Sequence, residues 1–235
     1  MDSTSELRPH VNSPVDVLGP WRRHHDDRER NLMTLNVLLL GDRQSGRSSV
    51  GNALIGGHEF LTGPQILGVS TTTEYQVLSR NFPGFFRRQG AESDLTFRVT
   101  DTPPLTLLCP ESLHQLCPDG VHVVVVVVRV DTTHEHTHLE QQLEHLFGAG
   151  WRSHALLVLT HADHLKKAGF QPSVFLTKAP DWLTSLVNQV KGGVLFLDNS
   201  SDWPLMAGQP VRDGVLRVSA GNQHRAIKVR TEVTF

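Results

Sequence analysis

The sequence predicts an α/β fold, a mostly parallel sheet flanked by helices on both faces, and three segments support this prediction. Leu35–Leu40 is an apolar run of strand length that turn-forming residues follow. His122–Val128 is almost pure valine, as expected of a central parallel strand covered on both faces. Leu139–Phe147 has apolar residues at helical spacing and precedes Gly148, a common helix end. Strands that alternate with helices indicate βαβ units and hence parallel pairing.

The other predicted elements continue this alternation. Ser48–Ile55 is a predicted helix behind a turn-rich segment, and Leu95–Val99 alternates like a half-buried strand. In chain order, the remaining predictions are the apolar strand Ala155–Leu159, the amphipathic helix Trp182–Val190, the short strand Val194–Leu197 and the weaker helix Val211–Val218.

Composition excludes several classes of protein. The chain has 235 residues, 22 Lys and Arg against 24 Asp and Glu, and a net charge of −2, so no basic surface for nucleic acid is expected. Two cysteines, Cys109 and Cys117, are too few for a disulfide framework. Met1–Pro20 lacks a signal-peptide pattern, and the apolar run Val123–Val128 is far too short to span a membrane. We therefore expect a cytoplasmic protein, and residues 222–235 offer no membrane anchor.

The chain divides into three predicted parts. Residues 1–30 are polar and charge-rich and are expected to form a disordered arm, with a docking segment centred on Trp21 as the alternative. Residues 31–219 form the predicted folded domain. Residues 220–235 are a predicted C-terminal tail.

A glycine-rich turn after the first strand predicts a phosphate site. Residues 41–48 read Gly-Asp-Arg-Gln-Ser-Gly-Arg-Ser, the spacing of G-x-x-x-x-G-K-[ST] with Arg47 in place of lysine. Such a loop turns backbone N–H groups toward a phosphate at a helix N-terminus, and the hydroxyl of Ser48 could hold Mg²⁺. The alternative is a plain turn between a strand and a helix. The predicted phosphate-binding residues are Gly41, Asp42, Arg43, Gln44, Ser45, Gly46, Arg47, Ser48 and Ser49.

Three further segments follow predicted strands in the order that a GTPase requires. Asp101-Thr-Pro-Pro104 stands where D-x-x-G places a carboxylate behind a metal-bound water. Residues 160–163 have the shape of N/T-K-x-D, whose aspartate accepts both guanine N–H groups, and Asp198-Asn199 follows the last strand. Because ligands of α/β sheets bind at the carboxyl ends of the strands, their joint order is more informative than any one motif.

The sequence resembles the GIMAP family of immunity-associated GTPases from about Asn31 to Asn199. The matching segments are Gly51-Asn-Ala-Leu-Ile-Gly56, Ser70-Thr71-Thr72, Asp119-Gly-Val-His122, Leu146-Phe-Gly148 and Thr160-His-Ala-Asp-His-Leu165. The resemblance implies a P-loop G-domain that binds GTP or GDP, and dimerisation, with itself or a related chain, through that domain. It implies Mg²⁺ at Ser48, Thr71 and Asp101, and a base face built from Thr160, His161, Asp163 and Asn199.

Two departures from the family pattern predict weak or absent hydrolysis. Arg47 keeps the positive charge of the loop lysine, but its planar fork is longer than an ammonium group. Pro104 replaces a glycine whose N–H would contact the γ-phosphate, and proline has no N–H. No catalytic residue is predicted. The chain is thus expected to be a guanine-nucleotide-binding protein, the alternatives being a nucleotide-free pseudo-GTPase scaffold and a GTPase completed by a partner.

His134-Glu-His-Thr-His138 satisfies the zinc-protease pattern H-E-x-x-H. A catalytic zinc site needs helical geometry and a third ligand on a supporting element. The segment instead follows the valine strand as a predicted loop, and no third ligand stands at a suitable spacing. A solvated loop is therefore the preferred interpretation.

Overall fold

The computed structural model describes residues 31–62, 74–88, 91–132, 137–200 and 202–231. A six-stranded sheet forms its centre, in the order β2-β3-β1-β4-β5-β6. The strands are β1 (Asn31–Gly41), β2 (Gln76–Arg88), β3 (Ala91–Asp101), β4 (Val123–Arg129), β5 (Ala155–Thr160) and β6 (Val194–Phe196). Pairing is parallel from β1 through β4 and β5 to β6, whereas β2 and β3 form an antiparallel hairpin at one edge.

Helices lie between the strands and after the last one. They are α1 (Arg47–Ile55), α2 (Pro110–Leu116), α3 (Thr137–Phe147), α4 (Trp151–His154), α5 (Ala162–Lys167), α6 (Pro172–Thr177), α7 (Asp181–Gln189), α8 (Pro204–Ala207) and α9 (Gln209–Gly221). Within the described ranges, no helix is long and apolar enough to cross a membrane.

Side chains alternate between the two faces of the sheet and build a core on each. On β1, Leu38 and Leu40 join the core that α2, α3, α4 and α7 cover, whereas Leu35, Val37 and Leu39 join the core under α1 and α9. The valines of β4 divide in the same way, so this strand is buried on both sides. The predicted α/β sheet with helices on both faces is therefore confirmed.

The structure also contains elements that the sequence pattern did not predict. The hairpin strand β2 and the short helices α2, α4, α5, α6 and α8 are all additional. Part of the predicted tail packs against the body: Ile227 pairs with Val121, Val229 is buried, and the N–H of Arg230 donates to the carbonyl of Leu146. The division into an arm, a domain and a tail stays a prediction.

Candidate functional site

The loop between β1 and α1 has the backbone of a phosphate cradle. Gln44 and Gly46 adopt left-handed φ angles of 60° and 89°, which turn the chain sharply before α1 begins. A Cβ atom on Gly41 would collide with the carbonyl of Val127, so the loop needs glycine there to lie close to β4. The hydroxyl of Ser45 is buried and has no hydrogen-bond partner among the described residues. A buried polar atom without a protein partner is a common feature of a ligand site.

Arg47 points into this loop rather than out to solvent. The residue is 5% exposed, and its guanidinium donates a hydrogen bond to the carbonyl of Gly41. Its Nε lies 3.4 Å from Oδ1 of Asp101, a fully buried residue at the end of β3. Burial lowers the pKa of Arg47, while the negative charges of Asp101 and Asp42 oppose that shift. The phosphate cradle therefore contains a positive charge that the chain itself supplies and pairs.

Ser48 completes the group at the phosphate end. Its hydroxyl donates to Oδ2 of Asp101 over 2.7 Å, so one carboxylate contacts both loop residues. Thr102, next in the chain, donates its hydroxyl to the carbonyl of Leu39 and fixes the end of β3 against β1. A hydroxyl beside a carboxylate, next to a phosphate cradle, is an oxygen donor set of the kind that Mg²⁺ prefers.

The base end is built from the loops after β5 and β6. His161 has a left-handed φ of 58°, and its backbone N–H donates to Oδ1 of Asn199 over 2.9 Å. Asp163, in the first turn of α5, is paired with Lys167 at 2.9 Å and lies 3.7 Å from His164. Burial alone would raise the pKa of Asp163, but the hydrogen bond and the charge of Lys167, together with the charge of His164, outweigh burial, and the pKa is lowered. The carboxylate at this end is therefore held in its charged form.

Two contacts join the phosphate end to the base end. The hydroxyl of Thr160 donates to the carbonyl of Ser45 over 2.5 Å. A Cβ atom on Gly46 would lie 3.0 Å from Nδ2 of Asn199 and 3.1 Å from the side chain of Thr160, so the loops are in close contact there. The ends of β1, β3, β5 and β6 thus form one continuous surface.

The comparison with known protein families identifies the family of this chain. Residues 35–209 match the AIG1 family, a span of well over half the chain. The chain belongs to the AIG1 family. The similarity includes "GTPase IMAP family member 8" of Homo sapiens, 26% identical over 178 residues, which are 72% of this chain and 24% of that protein. It also includes "Immune-associated nucleotide-binding protein 4" of Arabidopsis thaliana, 27% identical over 176 residues, which are 70% of this chain and 51% of that protein.

The predicted resemblance to immunity-associated GTPases is therefore confirmed, although this AIG1-family chain spans only about a quarter to a half of the length of these two relatives. Among solved structures, Toc33 from Arabidopsis thaliana in complex with GDP and Mg²⁺ has a TM-score of 0.55 at 21% identity, covering 92% of this chain and 93% of that one. This likeness confirms that the AIG1 chain has the G-domain fold.

The AIG1 fold brings most of the predicted site residues together. The predicted residues that lie at or directly after the carboxyl ends of β1, β3, β5 and β6, including the first turns of α1 and α5, are Gly41, Asp42, Gln44, Ser45, Gly46, Arg47, Ser48, Ser49, Asp101, Thr160, His161, Asp163 and Asn199. Arg43 lies on the same loop, and its side chain is exposed like that of Gln44. Thr71 and His134–His136 lie outside the described residues. The part of the chain that is described contains no group of three or more metal-ligating side chains of the His, Cys, Asp or Glu type. The assignment of each residue to a ligand stays a prediction.

Sequence reasoning did not predict one contact between two segments beside the site. The hydroxyl of Tyr75, just before β2, accepts the N–H of Cys109 at 2.9 Å and donates to its carbonyl at 3.1 Å. Cys109 precedes α2, in the stretch after Pro104. The two residues are 34 positions apart, so no local pattern could have paired them. Tyr75 is the only tyrosine in the chain, and this was the only feature of the sequence that could have drawn attention to it.

A second unpredicted contact is an ion network behind Asp163. Arg129 donates two hydrogen bonds to Asp131, each 2.7 Å long, and His164 lies 2.9 Å from the same carboxylate. The hydrogen bond from Arg129 is the largest cause of the lowered pKa of Asp131. This network holds His164 between Asp131 and Asp163 at the edge of the base end.

Proposed function

We propose that this chain binds guanine nucleotide, with the phosphates on the β1–α1 loop and the base against the loops after β5 and β6. The observation that carries the proposal is the direct hydrogen bond from Thr160 to the carbonyl of Ser45. It holds a phosphate loop against a base-recognition segment, as a nucleotide requires. Several AIG1-related proteins carry "nucleotide-binding" or "GTPase" in their names, which supports the same ligand.

Each end has a distinct role in this proposal. The backbone of residues 41–48 and the buried Ser45 hydroxyl take the phosphates. Asp163 accepts two N–H groups of guanine, and Asn199 and His161 border the base. Mg²⁺ would be held by Ser48, Thr71 and Asp101, where it would neutralise phosphate charge. The oxygen donors of Ser48 and Asp101 fit this ion.

Hydrolysis is proposed to be weak or absent. Pro104 is buried and begins the turn Leu105–Leu107, and it has no N–H to offer a γ-phosphate. The segment around it is held at Thr102 by Leu39 and at Cys109 by Tyr75. A nucleotide shifts a conformational equilibrium only by its difference in affinity for the two states. GTP and GDP are therefore proposed to bind with similar affinity.

A nucleotide-free scaffold is the second candidate, and one observation favours it. The chain's own cations already pair both acidic groups of the site: Arg47 lies against Asp101, and Lys167 pairs with Asp163. A site that compensates its own charges can be stable without a ligand.

The decisive experiment measures bound nucleotide. Protein purified under mild conditions is denatured and the supernatant is separated by chromatography, followed by titration with fluorescent GDP and ADP analogues. We expect guanine nucleotide and a clear preference for GDP. If the protein released no nucleotide and bound neither analogue, the result would support the scaffold instead.

A matched pair of glycine variants locates the ligand. Gly46→Ala places a Cβ against Thr160 and Asn199 at a left-handed φ, whereas Gly221→Ala meets nothing within 4 Å. Gly46→Ala should weaken GDP binding by about tenfold or more, and Gly221→Ala should leave it unchanged. If the two variants changed GDP binding equally, the nucleotide would bind at another place.

We also propose that the chain is cytoplasmic and dimerises through the nucleotide-binding surface. A Toc33 structure of the same fold is described as that of a dimerization-deficient mutant, which supports association of G domains of this kind. Light scattering with and without GDP tests this proposal, and a constant monomer mass would contradict it.

A further inference from the structure

Asp101 supplies the carboxylate that a bound metal ion would need, and side chains of the same protein already contact both of its oxygens. Oδ2 accepts the hydroxyl of Ser48 at 2.7 Å, while Oδ1 faces Nε of Arg47 at 3.4 Å. The side chains of Arg47 and Asp101 are 4% and 0% exposed. A positive charge therefore lies beside this carboxylate, in a place that water hardly reaches.

The chemistry of arginine suits this position. A guanidinium is planar, keeps its charge under all ordinary conditions and carries five N–H donors in a fixed fork. At Arg47, one part of the fork contacts Asp101 and another donates to the carbonyl of Gly41. A lysine ammonium is a single point charge, and it could not extend along both groups in this way.

In a nucleotide site, a divalent cation separates the negative charges of phosphate and carboxylate. Without the cation, these charges would repel each other strongly, because burial weakens the screening by water. Here the guanidinium of Arg47 lies between the first residue of the phosphate loop and the carboxylate. It can reduce that repulsion whether or not a metal is present.

We infer that Arg47 supplies to Asp101 the positive charge that a divalent cation would otherwise supply, so that a guanine nucleoside diphosphate binds with little dependence on Mg²⁺. The inference rests on the proposed nucleotide function and specifies its metal requirement. Mg²⁺ still fits beside Ser48, but it adds little to the affinity.

The test compares the affinity of the full chain for a fluorescent GDP analogue in excess Mg²⁺ and in excess EDTA. For the native chain, the two dissociation constants should agree within about threefold. Arg47→Lys should bind at least about tenfold more weakly in EDTA than in Mg²⁺, because the shorter reach of the ammonium leaves Asp101 less well compensated. Arg80→Lys, at an exposed arginine of β2, should behave like the native chain.

The comparison of the native chain in the two buffers can overturn the inference even if Arg47→Lys does not fold. A loss of more than about tenfold for the native chain in EDTA would overturn it and leave the proposed function intact. The inference would also be overturned if Arg47→Lys bound GDP equally well with and without Mg²⁺. Metal-independent binding would then not require the guanidinium group of Arg47. No binding in either buffer would reject the proposed function, and the inference with it.

Discussion

Charge is buried at the phosphate end of the site and exposed at the base end. Arg47 and Asp101 are 4% and 0% exposed, whereas the lysines that pair with Asp163 and Asp198 are 72% and 71% exposed. Both ends thus pair an acid with a base, but only one pair is removed from water.

This difference in exposure separates an ion pair that stabilises the fold from ion pairs that a ligand can displace. A buried ion pair becomes costly as soon as one partner is lost, because the other charge stays behind without water. An exposed pair contributes little, and a ligand can displace the lysine at small cost. We therefore expect the phosphate end to govern folding and the base end to govern ligand choice.

The largest expected effect comes from breaking the buried pair. Asp101→Asn keeps the shape of the side chain but leaves the charge of Arg47 without its partner, and it should lower the free energy of unfolding by about 3–5 kcal/mol. Urea unfolding measures this loss. Lys167→Met, which breaks the pair at the base end, should change the same quantity by only about 0.5 kcal/mol or less. Similar losses in the two variants would remove the distinction between the ends.

Base selection provides the next largest effect. Asp163→Ala removes the acceptor for two guanine N–H groups and should weaken GDP binding by about a hundredfold, or about 2.7 kcal/mol, while ADP binding stays as it is. Competition titrations measure the ratio of the affinities for GDP and ADP. Asp213→Ala, at an exposed position on α9, is the control. If the variant kept its preference for GDP, another residue would select the base.

Sequence patterns predicted those parts of the fold in which burial dictates residue type. The valines of β4 and the apolar β1 could only be buried strands. By contrast, β2 is an edge strand in which Pro83 and Gly84 interrupt the alternation, so its pattern was too weak to recognise. The short helices, such as α5 with six residues, are too brief to show a period.

The candidate site was predictable for a similar reason, since its loops follow strands and strand ends converge. What the sequence could not show was which side chains would meet. The inward position of Arg47 depends on Asp101, which lies on a different element far along the chain, and the contact between Tyr75 and Cys109 depends on how two segments pack. Such pairings are fixed by the tertiary fold rather than by local spacing.

The contact between Tyr75 and Cys109 gives a smaller prediction for the phosphate end. Tyr75→Phe removes a hydroxyl that both accepts from and donates to the backbone of Cys109, and it should lower the free energy of unfolding by about 1.5 kcal/mol. Because the segment after Pro104 would lose its attachment at Cys109, hydrogen exchange over residues 102–117 should quicken. Phe86→Leu, at a half-exposed ring far along β2, is the control. Unchanged exchange in Tyr75→Phe would show that packing alone holds the segment.

The smallest expected effect is a pH dependence at the base end. The pKa of Asp198 is lowered from 3.8 to about 2, first by the hydrogen bond from the hydroxyl of Ser200 and also by Lys166 at 2.9 Å. A lowered pKa favours the folded state above the unfolded value, and this contribution is lost as the pH falls from about 4 to about 2. Because Lys166 is largely exposed, water screens the interaction, and we expect a contribution of about 1 kcal/mol to the free energy of unfolding rather than the full value of the shift.

Asp198→Asn should therefore be less stable than the native chain at pH 6, and the difference in the free energy of unfolding should close toward pH 2 in urea unfolding. Asp213→Asn should run parallel to the native curve. A gap that stayed constant with pH would mean that the stability lost in Asp198→Asn does not come from the charge of Asp198, and the comparison of a buried with an exposed ion pair would then not extend to this residue.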